Sequence, residues 1–407
     1  SSEVVIQYLE KNMRVLLSEF RIGVPEETFQ KFMYFIYRDF VGLNEIEPIM
    51  RDYYIEDIEC NGVNFPLYVV HRKYRNLKTN IVFTDMRHLV GMVEKFAQKC
   101  GKYISYATPL LDGSLQDGSR VNATYTQDIT SRGPSFTIRK FTKTPWTPVK
   151  LMELRTASPE MLAYLWLLIE YEANILIIGG TGSGKTSFLN SIAFFIPPQS
   201  RVVSIEDTRE LSLSRENWLP SVAREGVGST NIMGTKHGEV TLFDLLKESF
   251  RQRPDYVIVG EIRGAEAFVL FQGMSSGHPS MGTMHAEDVE TLVRRLETPP
   301  INLSPSLVES LDAVCIMSQL KVGNKAVRKV TAINEILRVE VGNAVINTPF
   351  TWDPATDKFY FRANSKIFDK LVYHFGITKE KIYQEFRVRT LLLMKLYQAR
   401  ITGFHQV

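Results

Sequence analysis

Residues 174–195 read NILIIGGTGSGKTSFLNSIAFF, and this stretch changes character twice. Its first part, Ile175 to Ile178, is an unbroken apolar run of the kind a fully buried strand carries. Its last part, from Ser187 onward, reads as a helix. Between them, Gly179 to Thr186 has the spacing of a phosphate-binding loop: glycine, four residues, then Gly-Lys-Thr. Glycines let backbone N–H groups curl around phosphates without side-chain interference, and the helix start adds partial positive charge. The expected nucleotide-binding set is Gly179, Gly180, Thr181, Gly182, Ser183, Gly184, Lys185, Thr186 and Ser187. Lys185 is expected at the β- and γ-phosphates of ATP, and the Thr186 hydroxyl at Mg²⁺.

Downstream, RVVSIED (201–207), YVIVGE (256–261) and SMGTMHA (280–286) alternate with helical stretches. That alternation predicts an α/β fold with a mostly parallel, doubly wound sheet. In such sheets the C-terminal strand ends converge on the ligand crevice. The first run delivers Glu206 there, in IEDTRE. A cluster of acids is costly unless it faces water, a metal or cations, and the bland alternative is a solvated loop. The second run delivers Glu261, in GEIRG. A carboxylate at that point can orient an attacking water or take its proton; the alternative is a salt-bridged structural glutamate. Many ATP-hydrolysing proteins have an aspartate where this chain has Gly260. Magnesium must then rely on Thr186, phosphate oxygens and waters, with Glu206 and Glu261 behind them. The third run is flanked by His278 and His285. A lone histidine is more often structural than catalytic. His285, however, emerges at the same sheet edge as Glu261, which points to γ-phosphate sensing or water positioning. For His278, core hydrogen bonding and a site-adjacent role both stay open.

The chain has 407 residues, enough for two or three domains. With 44% hydrophobic and 23% charged residues it has the composition of a soluble globular protein. A net charge of +3 gives no support for a nucleic-acid or anionic-membrane partner. No apolar run reaches bilayer-spanning length, and no signal peptide is visible at an N-terminus that begins Ser-Ser, as in a trimmed chain. Cys60, Cys100 and Cys315 are scattered, without the spacing of a cysteine-rich zinc site, and read as buried apolar thiols. Residues 1–142 read as an α+β domain. It opens with a helix whose Phe29, Met33, Ile36 and Phe40 share one core-facing side. A hairpin dipeptide, Asn61-Gly62, and a helix capped by Thr84 follow. Next come Asp-Gly turns at 112–113 and 117–118. Residues 143–153, punctuated by prolines, read as a linker, and 154–407 as the ATPase domain with a helical tail.

The order GGTGSGKT, IEDTRE, RPDYVIVGEIRG, GHPSMGTMHAED resembles the secretion ATPase superfamily, the motors of type II and type IV secretion, type IV pili and the archaellum. DGSRVNATY, SFTIRKF and RRLETPPINLSPSLVESLD resemble its archaeal branch in particular. The resemblance implies a RecA-like P-loop C-terminal domain preceded by an α+β N-terminal domain, with nucleotide between them. It implies a cytoplasmic homo-hexamer, held at the inner membrane face by a polytopic membrane platform protein and the filament or secretion machinery. Bacterial type II members carry a four-cysteine zinc motif that this chain cannot build, so ATP and Mg²⁺ are expected and zinc is not. Family arginines that reach the phosphates match Arg120 in DGSRV and Arg139 in FTIRK. Arg209, Arg251, Arg253 and Arg263 are further candidates for subunit contacts.

Two other readings share the same loop. A nucleic-acid translocase on a RecA-like core would want a basic, aromatic-bearing channel, which the charge balance does not support. A P-loop kinase would need an acceptor pocket and a lid, and neither is visible in the sequence.

Overall fold

The computed structural model describes residues 2–141, 144–224, 226, 236–322, 325–340, 342–362 and 364–404. They fall into two units, residues 1–141 and 142–407. The first unit opens with helices α1 (Ser2–Glu19), α2 (Glu26–Ile36) and α3 (Glu47–Arg51). Strands β1 (Ile55–Cys60), β2 (Pro66–His71) and β3 (Arg75–Val82) lead to helix α4 (Met86–Lys99), and β4 (Leu110–Ser114), β5 (Arg120–Thr124) and β6 (Ser135–Arg139) follow. Among the described residues these strands form one antiparallel sheet, ordered β3-β2-β1-β6-β5-β4. Leu89, Met92, Val93 and Phe96 recur on one face of α4 and share a core with Ile58, Val121, Phe136 and Ile138. Strand alternation sends Arg120 and Arg139 to the other face.

Several local expectations need correction. Phe29 and Met33 are buried, but the chain widens into a π-helical turn at Tyr37–Val41. The changed periodicity swings Phe40 off the shared face, leaving it 77% exposed. Asp85, not Thr84, caps α4, accepting the N–H of Arg87. Asp112-Gly113 lies inside β4 instead of turning; Gly113 is needed because a Cβ there would meet Cys100 at 2.8 Å. The residues expected as a linker, 143–153, are partly helical. Pro148 occupies the first position of a helix, where its missing N–H is harmless, and Val149, Leu151 and Met152 are buried in the second unit's core. Residues 142 and 143 lie outside the described residues.

That helix is α5 (Pro148–Glu153), followed by α6 (Pro159–Glu170), β7 (Ile175–Gly179), α7 (Lys185–Ile192), β8 (Val202–Glu206) and β9 (Trp218–Val222). Then come α8 (Leu242–Ser249), β10 (Tyr256–Ile262), α9 (Glu266–Ser275), β11 (Ser280–Met284), α10 (Val289–Glu297) and α11 (Pro305–Val308). Strands β12 (Ala313–Val322), β13 (Lys325–Glu340), β14 (Asn343–Asp353) and β15 (Lys358–Phe361) precede α12 (Lys366–Phe375) and α13 (Lys379–Gln398). The sheet runs β15-β14-β13-β12-β7-β11-β10-β8-β9. Its strands are parallel from β12 through β9 and antiparallel from β12 through β15. Ile175 and Ile177 face a core with Phe188, Leu189 and Ile192 of α7, whereas Leu176 and Ile178 face one with Leu292, Val293 and Leu296 of α10. Because alternate strand residues point to opposite faces, α7 and α10 cover opposite sides of the sheet. Glu335, fully buried in β13, accepts from the Tyr164 hydroxyl at 2.6 Å and from the Lys366 N–H at 2.8 Å, so one carboxylate pins the start of α12. Cys60, Cys100 and Cys315 are free thiols, and burial raises them to about 11, 11 and 12. Among the described residues no helix is long and apolar enough to cross a membrane.

Candidate functional site

The loop after β7 is shaped by its glycines and by the strand beside it. Met317 of β12 brings its carbonyl oxygen to within 2.1 Å of where a Cβ on Gly179 would stand, so only glycine fits. Gly184, at φ 91°, makes the left-handed entry to α7. Ser183 is buried, Thr186 is half-buried in the first turn of α7, and Thr181 and Ser187 are exposed. Lys185 is buried against its own loop: Nζ donates to the carbonyls of Gly179 at 3.1 Å and Gly180 at 3.0 Å. Burial lowers its pKa, against the raising influence of Glu261 and Glu210.

β7, β11 and β10 are neighbours in parallel, so the residues leaving them meet at one edge. His285 bridges the other two side chains there. Its Nδ1 lies 3.3 Å from Lys185 Nζ, and its Nε2 lies 3.0 Å from Glu261 Oε1. An ammonium can only donate, so Nδ1 is the acceptor and the ring proton of the neutral imidazole sits on Nε2, facing Glu261. Burial and the Lys185 charge lower the histidine's pKa, which favours that neutral form. Burial pushes the Glu261 carboxyl up. The Arg263 hydrogen bond, with the charges of Arg263, His285 and Lys185, outweighs it and holds Glu261 below the usual carboxylate range. Arg263 donates to Glu261 Oε2 at 2.6 Å and stands 3.6 Å from Asp207. Glu261 Oε1 is shut off from solvent yet has no aligned hydrogen-bond donor. The neutral His285 ring approaches it to 3.0 Å, out of line for a hydrogen bond. A buried, ionised oxygen with an unused lone pair is what a water-orienting carboxylate must present.

Gly260 is explained by its neighbour in space. β10 pairs with β8, Val259 beside Ile205, and this sets Gly260 next to Glu206. A Cβ on Gly260 would lie 3.0 Å from Glu206 Cγ. The glutamate's side chain fills the room a longer residue would need. Glu206 is 1% exposed, and its Oε1 accepts the N–H groups of Glu210 at 2.9 Å and Leu211 at 2.8 Å, folding IEDTRE back on itself. Its Oε2 is buried without a partner. Burial, only partly offset by the two N–H bonds, raises its carboxyl to about 7.

His278 sits at the opposite end of β11 from His285, edge-on to Phe250 with ring centroids 5.0 Å apart. Arg120 and Arg139 belong to the first unit, directly opposite each other on β5 and β6. Arg120 forks onto both oxygens of Asp112, at 3.0 and 2.6 Å, and Arg139 reaches Asp57 at 3.3 Å. Arg209 lies over Trp218, and Arg251 stands 3.7 Å from Glu248. Sequence reading missed Arg328, far along the chain on β13. Its Nε donates to the carbonyl of Gly182 at 2.9 Å, and Gln319, its cross-strand partner, approaches the same glycine. Among the described residues no three His, Cys, Asp or Glu side chains gather to hold a metal. The loop therefore offers a cation the Thr186 hydroxyl. That donor set fits Mg²⁺, a hard ion ordinarily bound by few protein oxygens together with phosphate oxygens and water.

Residues 79–347 match the family described as type II/IV secretion system protein. The chain is 39% identical to the uncharacterized protein MJ0900 of Methanocaldococcus jannaschii over 393 residues, covering 95% of this chain and 70% of that one. It is 29% identical to the type IV secretion system protein PtlH of Bordetella pertussis over 281 residues, covering 60% and 80%. A solved structure of the pilus retraction motor PilT with bound ADP is similar in fold, with a TM-score of 0.51 at 16% identity, over 87% of this chain and 92% of that one. The family match spans more than half of the 407 residues, and the chain belongs to the type II/IV secretion system protein family.

Proposed function

We propose that the protein is a mechanochemical ATPase that hydrolyses ATP to ADP and phosphate. Its role is to drive assembly of a type IV pilus-like filament, an archaellum or a secretion machine at the cytoplasmic face of the membrane. The observation that carries this reading is the chain Lys185–His285–Glu261 at the sheet edge beside the glycine loop. Lys185 exchanges its loop carbonyls for the β- and γ-phosphates, and the loop N–H groups cradle them. Thr186 would hold Mg²⁺, which when bound neutralises phosphate charge. Glu261 orients a water toward the γ-phosphorus and takes one of its protons as the new P–O bond forms and the bridging P–O bond breaks. His285 links that carboxylate to Lys185 and senses the γ-phosphate.

The family and the ADP-bound motor of similar fold support this reading. Further parts of it are proposals: a RecA-like motor half, an N-terminal half supplying Arg120 and Arg139 to the phosphates, a ring of six, and attachment to the membrane through a platform protein. Lys185→Ala tests the nucleotide site. It removes the charge facing the phosphates, so we expect equilibrium binding of ATP to weaken by about tenfold or more, with phosphate release lost in parallel. Undiminished ATP affinity in that variant contradicts the site.

A further inference from the structure

Next to Glu261 and His285, a groove of about 440 Å³ opens on the sheet face covered by α10. Its lining includes the part-buried Glu261 and His285 and the exposed Arg263, Arg295, Thr298 and Pro300. Both arginines are fixed to the site. Arg263 holds Glu261 Oε2, and Arg295, on the last turn of α10, donates to the backbone carbonyl of His285 at 2.6 Å. The phosphate loop enters α7, which covers the opposite face. A nucleotide on that loop would block one approach to the site, whereas the groove meets the site from behind.

We propose that this groove is the exit for the product, inorganic phosphate, which leaves past Arg263 and Arg295 while ADP still occupies the glycine loop. The inference rests on the hydrolytic reading of Glu261. Hydrolysis converts ATP and water to ADP, hydrogen phosphate dianion and a proton. With the proton on Glu261 Oε1, Oε2 still accepts from Arg263 but the carboxylate's charge is gone, and the nearest anion left to Arg263 is Asp207 at 3.6 Å. A guanidinium whose close counter-charge has been neutralised is suited to a doubly charged tetrahedral anion. Arg295 extends the positive wall outward, and the exposed Thr298 stands beside it on the way to solvent.

The test is to narrow the groove and follow phosphate. Thr298→Trp introduces bulk at an exposed position, and Arg295→Gln removes the outer cation. ATP is hydrolysed in ¹⁸O-water by the full chain; rapid quenching measures phosphate formed, and a phosphate sensor measures phosphate released. Phosphate held at the site resynthesises ATP and rehydrolyses it, gaining extra ¹⁸O at each reversal. For Thr298→Trp we expect formation in the first turnover to stay near wild type and release to slow on the order of tenfold. The released phosphate should carry more ¹⁸O than wild type. Arg295→Gln should shift the label in the same direction by less. Release and labelling identical to wild type in both variants overturn the proposal. So does an equal loss of formation and release without extra label, since the groove would then serve the chemistry instead of the exit. If Glu261→Gln hydrolyses normally, the underlying reading has failed instead, whatever the two groove variants do.

Discussion

Glu206 places an acid where ionisation is costly, and the cost has a sign that can be measured. Its folded carboxyl titrates at about 7 against an ordinary 4.5 because burial disfavours the anion. Between those values the folded chain keeps a proton that the unfolded chain has lost, so the folded state loses stability as pH rises through this window. The full effect is roughly 3 kcal/mol at 1.36 kcal/mol per pH unit. Glu206→Gln keeps an oxygen for the Glu210 and Leu211 N–H groups and removes the titration. We predict that urea midpoints of wild type fall relative to this variant between pH 5 and 8, until the variant is ahead by on the order of 2 kcal/mol. Parallel pH curves would refute the burial argument. The same residue shows what the sequence alone could not say. Glu261 was legible because it ends a short apolar run, and His285 because it follows the next strand in the alternation of strands and helices. The reason for Gly260 was not, because β8 and β10 are neighbours only in the folded sheet. A steric demand across that pair leaves no trace in the periodicity of either strand.

At the scale of elements, alternation of apolar runs and helices was enough to place β7, β8, β10 and β11, and with them the crevice. The hairpin β12–β13 was invisible as a functional part, since nothing in a strand's own pattern says which loop it will lie against. Yet it forms the outer wall of the phosphate loop, through the Met317 carbonyl, Gln319 and Arg328. The hydrogen bond from Arg328 to Gly182 holds the loop open from the side away from Glu261. An exposed bond of this kind is worth about 1 kcal/mol. Arg328→Ala should therefore raise the KM for ATP about fivefold while kcat changes little. A loss confined to kcat would place Arg328 in the chemical step instead. The misplaced Phe40 and the helix inside the expected linker share one cause. A π-turn and a proline at a first helical position both obey rules more local than the periodicity used to read them.

For the whole molecule, the proposed ring and the paired arginines make one prediction. Arg120 is tied to Asp112 by two bonds, so reaching a phosphate requires it to leave that carboxylate, and nucleotide provides the competing anion. In intact assemblies, checked by light scattering, Arg120→Ala and Arg139→Ala should lower turnover by on the order of 10³ if these residues act as arginine fingers. Unchanged turnover and affinity in both would make them structural and remove the N-terminal half from catalysis. The fold and the site edge were readable from four short motifs; the arginine partners were not, because Asp57 and Asp112 become their neighbours only through sheet pairing and the β4–β5 hairpin. The hydrolytic reading depends on Glu261 acting on water beside a bound nucleotide, and Glu261→Gln examines this most directly. The amide keeps the shape and the contact with His285 but cannot take a proton. With equilibrium ATP binding and single-turnover phosphate formation measured on the same sample, binding should persist within about threefold and formation should fall by 10² or more, on the order of what a general base supplies. Phosphate formation at the wild-type rate would contradict the account.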